Sequence, residues 1–331
     1  MNIDGIDVFC SIKVDEEEIN IIRLYVSFYD MIEHLSGIKS DINLIETGYM
    51  LMFCPIDRDE LLYLTLQEDI GLGDKTTNAI VPPDKRCKVN VIAKADGIIS
   101  GIEIFRRLYE INEAEIENWE SVTDGTHIRK GQIIASFEGN ARAVLTTERV
   151  SLNFLKHLSG IATLTHKFVS RVKDLPVRIC HTRKTMPLLR AMEIDAVVHG
   201  GGHRHRFNLS DGILIKENHL EISGDIASAI RKVREHISHL ERIEVEVITL
   251  EQVKESLKAG ADAILLDNME LKDIKMAVKI AKGYPVLLEA SGNINLERVR
   301  PVAETGVHII SVGAITHSVS ALDISLLIER V

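Results

Sequence analysis

The second half of the chain alternates short apolar runs with amphipathic segments. The apolar runs, four to six residues long, occupy positions 177–180, 196–200, 212–217, 242–247, 262–267, 285–290 and 309–314. Between the later runs, residues 250–260 and 271–283 carry apolar side chains at helical spacing, so a strand-then-helix unit recurs. This repetition predicts a parallel sheet, and the lack of a Gly-x-Gly-x-x-Gly turn after its first strand counts against a dinucleotide-binding fold. We therefore expect an α/β barrel of six to eight strands with its chemistry at the carboxyl ends of the strands.

The first half of the chain has a mixed pattern. Helical spacing is found over residues 61–70, 102–111 and 141–172. Between these helices lie an alternating strand at 88–95 and a hairpin-like stretch at 122–139 whose turns contain glycine. The pattern therefore predicts an α+β module.

The changes of pattern divide the chain into three predicted parts. Residues 1–49 form an accessory N-terminal extension, with helical spacing over 19–38, or result from a start-site artefact. Residues 50–165 form the α+β module, on which a last helix could return to pack. Residues 166–331 form the catalytic barrel.

Composition and charge narrow the classes of partner. The chain has 39 basic and 49 acidic residues, a net charge of -10, and 5% aromatic residues. Such a surface repels nucleic acid and anionic membranes and offers few rings for stacking on bases. The four cysteines form no CxxC pair, the N-terminus lacks the pattern of a signal peptide, and no apolar run approaches the roughly 20 residues of a membrane span. We therefore expect a cytoplasmic protein that binds neither nucleic acid nor membrane.

Positive charge is concentrated in residues 181–219. This segment contains five of the thirteen histidines and, against four acidic residues, the six basic residues Arg183, Lys184, Arg190, Arg204, Arg206 and Lys216. Several lie at predicted strand ends, where a barrel would gather them around a ligand with several carboxylates or phosphates. A solvated basic face is the alternative. Since Lys216 lies within an apolar run, the pattern favours a binding site.

Two carboxylates end neighbouring predicted strands. Glu246 and Asp267 would face one cavity, where paired carboxylates suit Mg²⁺ or ribose hydroxyls, although either could instead pair with a barrel lysine. His203 and His205 could add zinc ligands, as in a barrel metallohydrolase. The arginines that flank these histidines would repel a cation, which disfavours the zinc interpretation.

The last two strand-to-helix turns consist of small residues. They are Ser291, Gly292, Asn293, Val312, Gly313 and Ala314. Barrels commonly hold a phosphate at such turns. Together with the basic segment and the carboxylates, they predict a metal-assisted enzyme that uses a phosphorylated ribose and an acidic second substrate.

Several ordered blocks of the chain match a known family. The blocks are EDIGLGDKTT, EGNARAVLTTERVSLNFLKHLSGIAT, TRKT at 182–185, GGGHRHRFNLSDGILIKENH at 200–219, EVEV at 244–247, LLDN at 265–268, EASGNI at 289–294 and ISVGAITHS at 310–318. They closely resemble quinolinate phosphoribosyltransferase, the carboxylating nicotinate-nucleotide diphosphorylase, a type II phosphoribosyltransferase. The resemblance runs from about residue 52 to residue 331. Three positions depart from the family pattern: Leu188 replaces a glycine, Ile194-Asp195 replace a lysine and an aromatic, and His181 replaces a common aspartate.

The resemblance implies a fold and a reaction. The fold would be an N-terminal α/β sandwich domain and an incomplete C-terminal α/β (TIM-like) barrel, paired head-to-tail in a homodimer or a higher homo-oligomer. The reaction would be a phosphoribosyl transfer from phosphoribosyl pyrophosphate to quinolinate with Mg²⁺, giving nicotinate mononucleotide, pyrophosphate and carbon dioxide in NAD biosynthesis. The nearest alternative is a pyrophosphorylase-like relative associated with molybdenum transport. Such relatives lack the LIK(D/E)NH block that this chain has at 214–219.

The resemblance also implies residue roles by motif position. The residues expected to bind quinolinate carboxylates are Arg183, His205, Arg206 and Lys216, with Thr182 beside them in the substrate site. Catalysis on phosphoribosyl pyrophosphate is expected from Lys184, Glu246 and Asp267. The two carboxylates would also hold its Mg²⁺. The two small-residue turns and His317 would hold the 5-phosphate, and Arg149 would reach into the site of the neighbouring subunit.

Overall fold

The computed structural model describes residues 57–330 and the backbone of residues 10–14 and 17–21. The chain divides into two units, Met1–Tyr49 and Met50–Val331. In the first unit, strands β1 (Cys10–Val14) and β2 (Glu17–Ile21) pair antiparallel. Residues 19–21, at the start of the expected helix over 19–38, therefore lie in a strand, and the rest of that segment lies outside the described residues.

The second unit contains the remaining elements. In chain order they are α1 (Arg58–Ile70), α2 (Lys75–Ile80), β3 (Arg86–Ala93), β4 (Gly97–Ile98), α3 (Ile102–Ile111), β5 (Glu117–Ser121), β6 (His127–Ile128), β7 (Ile133–Asn140), α4 (Ala141–Val172), β8 (Arg178–Cys180), α5 (Arg190–His199), β9 (Ile213–Ile215), α6 (Glu217–Ser223), α7 (Ile226–Arg234), β10 (Ile243–Val247), α8 (Leu250–Ala259), β11 (Ala263–Asp267), α9 (Leu271–Ala281), β12 (Leu287–Ser291), α10 (Val299–Ala303), β13 (Ile309–Ser311), α11 (Ala314–His317) and β14 (Ile324–Arg330). No helix among the described residues is long and apolar enough to cross a membrane.

Polar caps define where helices of the second unit begin. The Asn140 side chain accepts hydrogen bonds from the N–H groups of Arg142 and Ala143 and so starts α4. At the start of α8, Thr249 and Gln252 form a capping box. Because these caps satisfy amide groups that have no partner within the helix, they fix the first residue of each helix. The structure places α4 over the same residues that the periodicity predicts.

The N-terminal domain is an antiparallel sheet covered by α3 and α4. Its four strands lie in the order β14-β3-β7-β5. Phe105 and Tyr109 of α3, Leu155 of α4 and Phe137 of β7 are fully buried between the two layers. The Tyr109 and Phe137 ring centroids are 5.0 Å apart. The predicted hairpin at 122–139 is present only in part: the Val122 amide donates to the Ile134 carbonyl and continues the pairing of β5 with β7, while β6 between them pairs with β4.

The last strand corrects the predicted domain boundary. β14 lies within the range 166–331 assigned to the barrel, yet it pairs antiparallel with β3 from Ile324↔Ala93 to Arg330↔Cys87. Leu322 and Ile324 are buried in the same core as the aromatic residues of the N-terminal domain. A strand, rather than the helix considered from the sequence, therefore returns to that domain. The pairing joins residues more than 200 positions apart, which no local pattern could indicate.

The C-terminal domain is an incomplete α/β barrel. Six parallel strands lie in the order β8-β13-β12-β11-β10-β9. Between the two end strands of this sheet the barrel is open, and a single parallel bridge joins Cys180 to His203. Six of the seven predicted barrel strands are present, and the one at 196–200 is wrong because these residues form the end of α5 and its cap. A short apolar run with buried Ala196 and Val197 fits a helix as well as a strand.

Candidate active site

The predicted site residues follow the barrel strands at their carboxyl ends. Asp267 ends β11, Ser291 ends β12 and Ser311 ends β13. The register aligns Asp267 with Ser291, and Ser311 with Cys180 at the end of β8. Because these strands are parallel, the residues that follow them lie at one end of the barrel, where α/β barrels carry their chemistry.

A lysine, a glycine turn and a histidine meet after β8 and β13. A Cβ atom on Gly313 would lie 3.0 Å from His317 Nε2 and 3.4 Å from Lys184 Cδ, so the three residues are in contact. Thr316 Oγ1 donates to the Lys184 carbonyl at 2.7 Å, and the Lys184 amide donates to Thr182 Oγ1 at 3.2 Å. The structure thus brings together residues that the sequence assigns to one phosphorylated substrate.

Lys216 and Glu246 form an ion pair at the carboxyl ends of β9 and β10. The Lys216 ammonium donates to Glu246 Oε2, and both residues lie at the ends of adjacent parallel strands. A lysine partner is the alternative role expected for Glu246 from the sequence. The pair places a cation directly beside one of the two predicted Mg²⁺ ligands.

His205 lies between two acidic side chains that the sequence analysis did not assign to the site. Its Nε2 atom is 3.2 Å from Glu289 Oε2 and 3.6 Å from Glu244 Oε2. Within residues 57–330, these three are the one group of at least three possible metal ligands that lie close together. Asp267 and His203 do not belong to this group, and the His203 side chain is exposed. The strand alternation could have revealed Glu244, because it lies two residues before Glu246 and so points to the same face of β10.

Burial and the two neighbouring carboxylates act in opposite directions on the pKa of His205. Burial alone would lower its pKa, but the hydrogen bond and charge of Glu289 and the charge of Glu244 outweigh burial and raise the pKa of His205 above its usual 6.5. Burial and repulsion by Glu289 raise the pKa of Glu244 to about 8. The Arg206 amide donates to His205 Nδ1 at 2.8 Å, so the ring proton in this geometry lies on Nε2, which faces Glu289. The raised pKa means that His205 takes up a second proton, on Nδ1, more readily than a free imidazole does.

His181 connects the TRKT loop to the His205 segment. Its Nδ1 atom lies 3.1 Å from the Thr182 carbonyl oxygen, and its Nε2 atom lies 3.0 Å from the His205 amide nitrogen. Since an amide N–H only donates, Nε2 accepts and Nδ1 carries the proton. Burial is the main reason that the pKa of His181 falls to about 4, so the ring stays neutral. A neutral histidine thus stands where the resembling family commonly has aspartate.

Three arginines lie close to one another on the two basic loops. Burial and then the charge of Arg183 lower the pKa of both Arg190 and Arg206. Arg190 Nε donates to Thr185 Oγ1 and its Nη1 to the Phe207 carbonyl, each at 3.0 Å, so it links the two basic loops. The buried Arg183 Nε has no hydrogen-bond partner in the described part of the chain. Neighbouring guanidinium groups with an unpaired donor form a site for an anion with more than one carboxylate or phosphate.

Arg149 is the one predicted site residue that lies on the long helix α4. Its side chain is exposed, and it makes no hydrogen bond or ion pair with any other residue in 57–330. None of the contacts described above includes it. Its expected role across a subunit interface therefore stays a prediction.

Leu188 adopts a backbone conformation that suits glycine. Its φ is 64° and its side chain is 50% exposed, in the loop between Lys184 and α5. A left-handed residue with a Cβ atom costs roughly 1–2 kcal/mol. This position is where the resembling family has glycine, so the departure noted in the sequence introduces local backbone strain next to the basic loop.

Replacing Leu188 with glycine is expected to stabilise the protein. Relief of the backbone strain lowers the free energy of the folded state, and this gain exceeds the cost of about 0.5–1 kcal/mol from the greater unfolded-state entropy of glycine. We expect the melting temperature to rise by about 1–4 °C. The measurement is a thermal scan by circular dichroism. Leu188→Ala is the matched control: it removes the same exposed side chain but keeps the strain, and an equal rise in that variant would contradict the explanation.

The fold and the site together define an α/β-barrel enzyme for substrates with several anionic groups. Two family descriptions match the chain: "Quinolinate phosphoribosyl transferase, N-terminal domain" over residues 74–159 and "Quinolinate phosphoribosyl transferase, C-terminal domain" over residues 161–327. The chain belongs to this family, as the sequence blocks indicated.

Individual relatives agree with this assignment. The chain is 42% identical over 259 residues to a probable nicotinate-nucleotide pyrophosphorylase (carboxylating) of Bacillus subtilis, covering 78% of this chain and 89% of the relative. It is 40% identical to the protein of the same name from Methanocaldococcus jannaschii, covering 82% and 97%. The crystal structure of nicotinate-nucleotide pyrophosphorylase from Ehrlichia chaffeensis is similar with a TM-score of 0.79 at 40% identity, covering 83% of this chain and 99% of that chain. The sandwich and incomplete barrel expected from the sequence are thereby confirmed.

Proposed function

We propose that this chain transfers the phosphoribosyl group of phosphoribosyl pyrophosphate to quinolinate and releases pyrophosphate and carbon dioxide, so that nicotinate mononucleotide is formed. The proposal is supported by family membership and by the names of its relatives. The single structural observation that carries it is the convergence of Arg183, Arg206 and His205 at the end of the barrel. Two guanidinium groups beside an imidazole whose pKa is raised suit a small ligand with two adjacent carboxylates.

The basic groups explain why a dicarboxylate would bind. Arg206 Nη1 donates to the Gly212 carbonyl at 3.0 Å, which fixes the guanidinium and leaves its other nitrogens free for a carboxylate. Arg183 offers a buried donor without a protein partner. Because the surroundings are partly desolvated, charge-assisted hydrogen bonds to the ligand are stronger than they would be in water.

The carboxylates and turns would serve the phosphoribosyl donor. When the bond to pyrophosphate breaks, positive charge develops on the ribose ring, and Asp267 and Glu246 would stabilise it. The pyridine nitrogen then forms the new bond to the ring carbon. Once the nitrogen is quaternary, the adjacent carboxylate leaves as carbon dioxide, and the pyridine ring accepts the electron pair until a proton replaces it. The Ser291-Gly292-Asn293 and Val312-Gly313-Ala314 turns, with His317 and Lys184, would hold the phosphates.

The donor set fits a magnesium ion brought by the phosphoribosyl donor. Mg²⁺ prefers oxygen ligands and commonly takes one or two carboxylates together with substrate phosphates. Asp267 and Glu246 supply such oxygens, although Glu246 is already paired with Lys216. The residues that would hold the ion are thus Asp267 and, once Lys216 engages the substrate, Glu246. Bound there, Mg²⁺ would supply charge neutralisation for the departing pyrophosphate.

The assembly and location belong to the same proposal. A homodimer, or a larger homo-oligomer, would let the exposed Arg149 of one chain reach the site of its partner. The reaction belongs to NAD biosynthesis, for which we propose a cytoplasmic location. A phosphoribosyl transfer of this kind is a glycosyltransferase reaction.

A product assay tests the proposed function. Purified protein is incubated with Mg²⁺ and phosphoribosyl pyrophosphate and with either quinolinate or nicotinate, and nicotinate mononucleotide and carbon dioxide are followed. We expect equal amounts of both products from quinolinate and none from nicotinate. Omission of Mg²⁺ with added chelator is the control for the metal. Turnover of nicotinate, or of neither acid, would contradict the proposal.

Quinolinate affinity is expected to fall as the pH rises. Below its raised pKa, His205 takes up a second proton on Nδ1; above that pKa the ring is neutral, and near pH 8 Glu244 becomes an anion, so each change weakens carboxylate binding. We expect at least about a tenfold loss between about pH 6 and about pH 9, measured by titration calorimetry. In Glu289→Gln the loss should begin at lower pH, because the partner that raises the pKa of His205 is neutral. An affinity that stays constant over this range would exclude the role of His205.

A further inference from the structure

Asn268 contacts groups at the carboxyl ends of two neighbouring strands, β11 and β12. It follows Asp267 at the end of β11 and adopts a left-handed conformation with φ 53°. Its Nδ2 atom donates to Asp267 Oδ2 at 2.9 Å, and its Oδ1 atom accepts from Asn293 Nδ2 at 3.0 Å. The backbone N–H of Asn268 donates to the Ser291 carbonyl at 3.0 Å. The residue therefore links the proposed ribose carboxylate to the proposed 5-phosphate turn.

The chemistry of the two contacts requires an amide side chain. A carboxylate only accepts hydrogen bonds, so the group facing Asp267 must be the Asn268 NH₂, which leaves the amide oxygen for Asn293. An aspartate at this position would place a second negative charge against Asp267. A leucine would be of similar size but could make neither bond. Asparagine supplies the donor and the acceptor on two separate atoms of one planar group, as neighbours on two strands require.

Gly292, in the proposed phosphate turn, leaves space that the Asn268 side chain occupies. A Cβ atom on Gly292 would lie 2.3 Å from Asn268 Oδ1 and 2.4 Å from its Cγ. Gly292 also has φ 88°, a conformation that favours glycine. The Asn268 amide thus lies directly against the backbone of the Ser291–Asn293 turn, and any other residue at 292 would displace it.

We propose that Asn268 is a positioning residue that fixes the spacing between the Asp267 carboxylate and the Ser291–Asn293 turn. The inference rests on the proposed function, because it assigns the two groups to the ribose and the 5-phosphate of one molecule. Those two groups of the donor are held at a fixed separation by the sugar itself. If the Asp267 carboxylate and the Ser291–Asn293 turn move apart, the turn can bind the 5-phosphate or Asp267 can face the ring carbon, but not both. A displacement of about 1 Å can cost about 100-fold in rate.

The test compares Asn268→Asp with wild type in the full-length protein. We expect kcat/KM for phosphoribosyl pyrophosphate to fall about 10- to 100-fold, with a higher KM for that substrate, while quinolinate affinity stays within about twofold. Asn118→Asp is the matched control, since Asn118 has the same φ of 53° and is exposed on β5 of the N-terminal domain. It should change neither substrate's kinetics. Wild-type kinetics for phosphoribosyl pyrophosphate in Asn268→Asp, or an equal loss of affinity for both substrates, would overturn the inference.

A double-mutant cycle tests the contact itself. Gly292→Ala should impair use of phosphoribosyl pyrophosphate more in the wild-type background than in Asn268→Ala, because removal of the amide makes room for the new methyl group. Equal losses in both backgrounds would contradict the proposed contact. The inference and the proposed function fail differently. If wild type does not convert quinolinate, the function is wrong; if wild type is active and Asn268→Asp behaves like it, only the role of Asn268 is wrong.

Discussion

Arg206→Ala is expected to weaken quinolinate binding by about 100-fold and to change the affinity for phosphoribosyl pyrophosphate by less than about threefold. The larger effect is expected because Arg206 belongs to the group of neighbouring cations with Arg183 and His205, where a carboxylate would lose a partly desolvated charged partner. The small effect on phosphoribosyl pyrophosphate is expected because the turns proposed to hold its phosphates follow β12 and β13, whereas Arg206 precedes β9. Both affinities can be measured by titration calorimetry.

Arg204→Ala is the matched control for this experiment. Arg204 lies two positions away, is 61% exposed and pairs with Asp195 on the surface. Surface ion pairs contribute little, so both affinities should remain near those of wild type. Equal losses for the two substrates in Arg206→Ala, or a similar loss in Arg204→Ala, would refute the assigned carboxylate site.

Mixing two inactive variants should restore activity if the sites are shared between subunits. Arg149→Ala and Lys184→Ala are each expected to reduce kcat/KM by at least about 100-fold, because each removes a charge from the site. A mixed dimer has one site with both residues intact and one site with neither. Random exchange makes half of the dimers mixed, so about a quarter of wild-type activity should return.

The complementation experiment needs a control on the same helix. Lys167 is also exposed on α4, and Lys167→Ala should keep full activity. Subunit exchange is verified with differently tagged chains. If exchange occurs and activity does not return, Arg149 acts within its own chain or outside the site, and the head-to-tail arrangement inferred from the resemblance is wrong.

Some of the site was visible in the sequence because its residues lie next to local signals. Lys184, Asp267 and Gly313 follow apolar strands, and parallel strands bring their carboxyl ends together whatever the details of packing. Other features depended on pairing between distant residues. His205 pairs with Glu289 and Glu244 across separate strands, and a strand pattern gives no indication of which inward-facing acids lie next to a given histidine.

By itself the sequence determined the strand–helix repeat, the span of α4, the basic segment and the family, because periodicity, capping and motif spacing are local properties of the chain. Only the tertiary structure decided that β14 joins the first sheet, that residues 196–199 are helical, and that Asn268 spans two strand ends. For β14 and Asn268 the deciding contact joins segments separated in sequence. Its free energy comes from burial and hydrogen bonds that exist only once the chain has folded.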